Sequence, residues 1–285
     1  GFLGSGKTTA IIGAVKYYLA QGKRVGVITN DKGKYLVDTA FFQQADVPTA
    51  QVGGGCFRCN FDEFENQMDQ LIHENQPEII FAESVGSCVD LVNTVVDPLR
   101  EYQQYGHAQS TYSVFTDVRL LSFWVNDIPL PFNDSIVYTF GKQIEETSLL
   151  VVNKIDLISP EELAELKPVL AARYPEKTIL YQVSLDRVYT PWVQALETGR
   201  AGMPEKREEF SVDYKQYAAG ELSMAWVDEA VEVNGETPAV VGQAVESMIA
   251  GVLAQVQEMK LGIAHLKVFV RSGGQSAKIS FTAAD

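Results

Sequence analysis

Gly1-Phe2-Leu3-Gly4-Ser5-Gly6-Lys7-Thr8, with Thr9 behind it, is the stretch that decides the fold. It fits G-x-x-x-x-G-K-[ST], and Ile11, Ile12, Val15, Tyr18 and Leu19 follow it with helical spacing, the context this motif requires. Small residues let the backbone wrap a phosphate, so that amide N–H groups and the helix N-terminus face its oxygens. In that reading Gly1, Gly4, Ser5, Gly6 and Thr9 line the phosphate, Lys7 neutralises its outer charges, and Thr8 offers a hydroxyl to Mg²⁺. A strand normally aims such a loop, so a buried apolar strand is expected ahead of Gly1.

Working outward, short apolar stretches suited to buried strands recur at Arg24–Thr29, Glu78–Glu83, Tyr112–Thr116, Ser148–Asn153 and Thr178–Val183. A helix-period segment carrying Phe61, Phe64, Met68, Leu71 and Ile72 lies between two of them. Strands alternating with helices predict an α/β fold, a P-loop parallel sheet with helices on both faces, over residues 1–200. Gly, Pro and mixed charges at 201–211 read as a linker to a small C-terminal α+β domain, residues 212–285. Its strongest element is a helix through Val241, Val245, Met248, Val252, Val256 and Met259, followed by a β-hairpin around Ser272-Gly273-Gly274-Gln275.

Two further segments end buried strands, where open α/β sheets present their ligand loops. Asn153-Lys154-Ile155-Asp156 places a carboxylate able to accept both guanine N–H groups, whereas adenine would leave a buried Asp156 unsatisfied. The alternative is that Asp156 simply caps the helix starting near Pro160. Glu83-Ser84-Val85-Gly86 puts Glu83 where a strand-end acid reaches the Mg²⁺ shell, and lets the Gly86 backbone approach a terminal phosphate. The expected ligands are therefore GTP and Mg²⁺.

Composition sets the bounds. With 285 residues, 46% hydrophobic and 21% charged, the chain is long enough for about two domains and unlike a disordered one. Lys plus Arg, 23, against Asp plus Glu, 37, gives a net charge of −14, with no basic block. That argues against nucleic acid and anionic membranes as partners. No run of 18 purely apolar residues occurs, and three cysteines are too few for a disulfide framework, so a cytoplasmic setting is expected.

Together these residues resemble the CobW-type GTPases of the SIMIBI class, related to HypB and UreG. GFLGSGKTT is similar to that family's opening, and ITNDKGKYLVD (Ile28–Asp38) to its N-E-F-G-x-x-x-x-D switch segment, with Asp31 in place of Glu. GGGCF before Cys59, ESVG, VFTD at Val114–Asp117 and QIEETSLLVVNKIDL continue the likeness. The resemblance implies GTP hydrolysis coupled to delivery of a metal ion or handling of a corrinoid cofactor. It implies Asp38 as a further Mg²⁺ ligand, and a client metalloprotein or corrinoid enzyme as partner. No arginine finger is evident in cis, so a homodimer or the client would supply one. An adaptor for a corrinoid enzyme with no metal of its own is the competing expectation.

The family pattern C-x-C-C is here Cys56-Phe57-Arg58-Cys59. Two thiolates at this spacing can share Zn²⁺ or Co²⁺, with Asp31 and Cys88 the nearest further ligands by topology. Arg58, a cation beside the site, opposes a divalent metal. A degenerate pair of reduced cysteines and a redox C-x-x-C remain alternatives.

Overall fold

Two of the apolar runs form strands buried at every residue: β1 (Val25–Asn30) and β5 (Leu149–Asn153). Backbone this apolar needs cover on both faces, and helices supply it. The computed structural model describes residues 1–30, 47–53, 55–101, 109–200, 210–272 and 275–282. Within them β2 (Thr49–Val52) and β3 (Ile79–Glu83) flank β1, and β4 (Ser113–Asp117) and β6 (Thr178–Gln182) flank β5, all parallel. The parallel strands thus form two three-stranded ladders, β2-β1-β3 and β4-β5-β6.

Helix α1 (Lys7–Ala20) joins them. Its Ala10, Ile11, Ala14 and Val15 share one core cluster with Val27 and Phe81 of the first ladder and Phe115, Leu149 and Val151 of the second, sealed by Trp192. The opposite face of the first ladder, Ile28 and Val52, is covered by α2 (Phe61–Asn75) through Phe64, Met68 and Leu71. The opposite face of the second, Val114, Leu150 and Val152, meets α4 (Val118–Val125), α5 (Asp134–Glu146) and α6 (Pro160–Arg173). Between β3 and β4 the chain makes a π-helical turn, Val92–Val96, that runs into the short α3 (Asp97–Glu101). Helix α7 (Pro191–Glu197) contributes Trp192 and Val193 to the first core.

The C-terminal segment is assembled differently. Helix α8 (Tyr214–Leu222) packs closely on α5, where a Cβ at Gly220 would lie 2.8 Å from the Ser135 carbonyl oxygen. Helix α9 (Pro238–Glu258) begins at a Thr237 cap and buries only Ile249. Strands β7 (His265–Ser272) and β8 (Gln275–Thr282) form the expected hairpin, with Leu266 opposite Phe281 and Val268 opposite Ile279; its turn glycines lie outside the described residues.

Strand β2 had no counterpart in the apolar reading, because Thr-Ala-Gln-Val is short and half polar. Most of the linker expected at 201–211 lies outside the described residues. Helix α9, at 21 residues and mean hydropathy 1.5, is nevertheless long and apolar enough to cross a membrane by length and composition, with just 6% of its apolar stretch buried. Gln, Glu and Ser interrupt its apolar run without lowering its average enough to fail that test.

Candidate functional site

The glycine loop turns through left-handed backbone at Gly4 (φ 70°) and Gly6 (φ 86°), and Gly6 is the N-cap of α1. At Gly6 a Cβ would sit 2.3 Å from Asn153 Nδ2, so both the backbone angle and the space demand glycine. Ser5 braces the loop from inside, its hydroxyl donating to the Phe2 carbonyl at 2.8 Å. Phe2 anchors the loop in the core, edge-on to Phe132 and Phe140. Lys7 Nζ donates to the carbonyls of Gly1 (2.9 Å) and Phe2 (3.1 Å), so its charge lies along the loop.

The strand ends converge on this loop. Thr8 Oγ1 donates to Glu83 Oε1 at 2.9 Å in a buried contact that joins the first turn of α1 to the end of β3. Beyond Glu83, a Cβ at Gly86 would lie 2.8 to 3.0 Å from Leu3 side-chain and backbone atoms, so this glycine lets the segment rest on the phosphate loop. Asn153 Nδ2 donates to the Ser5 carbonyl (2.9 Å), while its Oδ1 accepts from Ser184 N (3.1 Å) and Oγ (2.9 Å). Lys154 takes a left-handed backbone (φ 62°) and pairs with Asp117 at 3.0 Å. Burial alone would raise the Asp117 carboxyl, but bonds from Arg119 and Lys154 hold it below the ordinary carboxylate range.

Asp156 is exposed, not buried as the base-recognition argument assumed; it lies on a 3₁₀ turn, Ile155–Leu157, beyond the sheet edge. Nor does it cap the next helix. Ser159 does, in a capping box with Glu162, which leaves the Asp156 carboxylate outside the local capping scheme. Asp31 and Asp38 lie outside the described residues.

The cysteines do gather. Cys56 and Cys59 Sγ are 3.0 Å apart, and Cys88, just past Gly86, bonds to Cys56. The Cys88 side-chain bond, with help from Cys59 and against burial, pushes the Cys56 thiol down to about 5, while burial and the Cys56 charge push Cys59 up. Arg58 is stacked on the rings of Tyr214 (5.0 Å) and Tyr217 (4.8 Å) of α8, near enough for its charge to favour both thiolates. Among the described residues no group of three His, Cys, Asp or Glu side chains is arranged to hold a metal ion, and Asp31, expected beside Cys56, Cys59 and Cys88, lies outside those residues.

Several residues that tie this site together escaped the sequence reading. Asn30, at the end of β1, donates to the carbonyls of Val52 (2.9 Å) and Gly55 (2.6 Å) and accepts from Val85 N (3.4 Å), linking the cysteine turn to the segment after Glu83. Gln143 donates to the carbonyls of Gly86 (3.0 Å) and Cys88 (2.8 Å). Glu146 accepts from the backbone of Asp90 (2.9 Å) and Val92 (2.7 Å), and burial raises it to about 7 against those bonds. Tyr214 of α8 completes the clamp by donating to Asp90. Asn30 lay within the quoted switch segment; a buried Gln or Glu inside an amphipathic helix leaves no such mark.

A glycine loop braced by a strand-end acid and by an asparagine from the next ladder defines a P-loop nucleotide-binding protein. More narrowly, the chain belongs to the CobW/HypB/UreG family of P-loop GTPases, whose nucleotide-binding-domain model matches residues 1–181. It is 27% identical over 228 residues to the zinc chaperone CobW of Sinorhizobium sp, covering 70% of this chain and 61% of that protein. It is 25% identical over 167 residues to the zinc chaperone YeiR of Escherichia coli K12, covering 56% and 46%. The chain thus spans less than two thirds of either relative. Among solved structures it is similar to HypB of Archaeoglobus fulgidus (14% identity, TM-score 0.47, covering 71% of this chain and 87% of that one). It is similar also to HypB of Helicobacter pylori in complex with nickel (16%, 0.47, 73% and 88%).

Proposed function

We propose that this chain binds GTP with Mg²⁺ and hydrolyses it to gate the hand-over of a thiol-bound metal ion to a client protein. The observation that carries the nucleotide half is the buried Thr8–Glu83 contact beside Lys7. A hydroxyl and a carboxylate, both hard oxygen donors, fit Mg²⁺, which when bound would neutralise charge on the outer phosphates. In this reading the loop from Gly1 to Gly6 and Thr9 cradle the phosphates, and Lys7 leaves the loop carbonyls to meet the β- and γ-oxygens. Gly86, already resting on Leu3, brings its segment to the terminal phosphate. Asn153 fixes the base loop to the phosphate loop, Lys154 flanks the base, and Asp156 accepts the two guanine N–H bonds, becoming buried only when the base covers it.

The cargo half rests on continuity. The segment that follows Glu83 passes Gly86 and within two residues reaches Cys88, which bonds to Cys56. Ordering that segment on the terminal phosphate would therefore shift a thiol group suited to Zn²⁺ or Co²⁺, with Asp31 the further ligand expected from the sequence. A second reading is an adaptor that grips a corrinoid enzyme in one nucleotide state and carries no metal; what favours it is that no three His, Cys, Asp or Glu side chains among the described residues are arranged to hold an ion.

Calorimetry with GTP and ATP tests the first half. GTP should bind preferentially, and Asp156→Asn should weaken it by about 2 to 4 kcal/mol, because an amide accepts at only one end. Equal affinities in the unaltered protein overturn the guanine assignment. Titrating Co²⁺ into reduced protein tests the second half: a thiolate-to-cobalt absorption band supports cargo binding, and its absence moves the adaptor reading ahead.

A further inference from the structure

The cysteine turn has a property that metal transfer does not require. The Cys59 N–H donates to the Cys56 carbonyl at 2.9 Å and the Asn60 N–H to the same oxygen at 3.0 Å, so a tight turn, rather than chance side-chain rotation, brings the two sulfurs together. Phe57, packed on Phe64 at 4.5 Å, fixes that turn to α2. Cys59 faces solvent, whereas Cys56 and Cys88 are buried beneath it. Arg58, in the turn between the pair, stacks its guanidinium on Tyr214 and Tyr217, and the two sulfurs still approach to 3.0 Å.

We propose that Cys56 and Cys59 are a dithiol modification site whose co-substrate is a small-molecule disulfide such as oxidised glutathione. The exposed Cys59 gives up its proton and attacks a sulfur of the reagent, forming a mixed disulfide and expelling one thiolate, which takes up that proton. The Cys56 thiolate, 3.0 Å away, then attacks the Cys59 sulfur, forming the Cys56–Cys59 bond and expelling the second thiolate. The two protein sulfurs are oxidised by two electrons and the reagent is reduced to two thiols. Cys88 is excluded from the first step by burial and keeps its thiol. Where the metal-transfer reading holds, oxidation removes two of the three thiols available to cargo; the disulfide itself does not depend on that reading.

The test equilibrates the reduced full chain in glutathione buffers of increasing oxidised fraction, quenches with acid, alkylates and maps peptides by mass. The expected result is paired loss of two alkylation sites, a linked Cys56–Cys59 peptide, Cys88 still alkylated, and no retained glutathione. Cys56→Ser should instead trap glutathione on Cys59, since the resolving sulfur is gone. A Cys56–Cys88 linkage, a stable glutathione adduct on the unaltered chain, or three thiols that stay alkylated throughout overturns the proposal. The unaltered chain decides this even if the variant folds poorly. Co²⁺ titration of reduced and oxidised protein is read separately: a band lost on oxidation connects the site to cargo, while no band in either form removes the cargo reading and leaves the thiol mapping standing.

Discussion

Helices α1 and α9 are both rich in apolar residues, yet α1 buries seven of its 14 residues and α9 one of its 21. The difference lies in what each meets. Helix α1 lies across two parallel ladders that offer it Val27, Phe81, Phe115, Leu149 and Val151, and its Ala10, Ala14 and Val15 join them in one core, while Gly13 lets the Arg187 carbonyl come close. Helix α9 has a stripe of the right period but, among the described residues, no sheet or helix against it comparable to the ladders under α1. An apolar stripe is a capacity to pack. Burial also needs a partner surface of matching shape, and the hydrophobic stabilisation scales with area removed from water rather than with composition.

That contrast can be broken first in the densest place. Leu150 is fully buried in β5, the central strand between β4 and β6. Leu150→Ala should cost about 3 to 4 kcal/mol, the lost transfer energy plus a cavity that flanking strands cannot close. Urea unfolding followed by far-UV circular dichroism measures it, and a cost under about 1 kcal/mol would mean that the second ladder is looser than its burial implies.

A second effect tests the same contrast through pH. Glu146 is buried at the end of α5, faces Asp90 and Tyr112, and titrates near 7 in the folded chain against an ordinary 4.5. Because the folded state holds this proton more tightly, the contribution of Glu146 to stability is greatest below pH 4.5, falls as pH rises toward 7, and is flat above. The loss across that window is at most about 3.5 kcal/mol, because holding a proton more tightly by a factor of ten is worth about 1.4 kcal/mol. Cys56 works in the opposite direction: its lowered value adds stability as pH rises above about 5. The informative quantity is therefore the difference between the unaltered chain and Glu146→Gln, in which the Cys56 contribution cancels. The stability of the unaltered chain relative to the variant should decline between pH 4.5 and 7, and parallel profiles would show that Glu146 is solvated.

Much of the nucleotide half was legible because its signals are local. Runs such as Leu149–Val152 are apolar on both faces, which only a covered parallel strand tolerates, and glycines at fixed offsets announce a backbone that must come close to something. The sheet and α1 then gather Thr8, Glu83, Gly86 and Asn153 without further instruction, since Glu83, Gly86 and Asn153 sit at or just past strand ends and Thr8 in the first turn of α1. The rest was hidden for physical reasons. Asn30, Gln143, Glu146 and Ser184 act by satisfying buried backbone or side-chain groups, and hydrogen-bond satisfaction has no period in sequence. Arg58 reads as an intruder in a cysteine motif until α8, some 150 residues later, supplies two tyrosine rings to receive it. The exposure of Asp156 was missed because a strand-end carboxylate was assumed to share the burial of the strand.

The smallest expected effect is at the other end of the comparison. Val252 lies in the middle of the α9 stripe and is 45% exposed. Truncating it to alanine removes little area from contact, while alanine gains a few tenths of a kcal/mol in helix propensity over a β-branched residue whose χ1 the helix restricts. The two terms nearly cancel, so Val252→Ala should change stability by less than about 0.5 kcal/mol, against several for Leu150→Ala. Unfolding should be measured at low and high protein concentration, because a stripe covered by a second molecule would reveal itself as a concentration-dependent midpoint. A cost approaching that of Leu150→Ala would show that α9 is packed in solution. The distinction between the two halves would then be one of partner rather than of packing capacity.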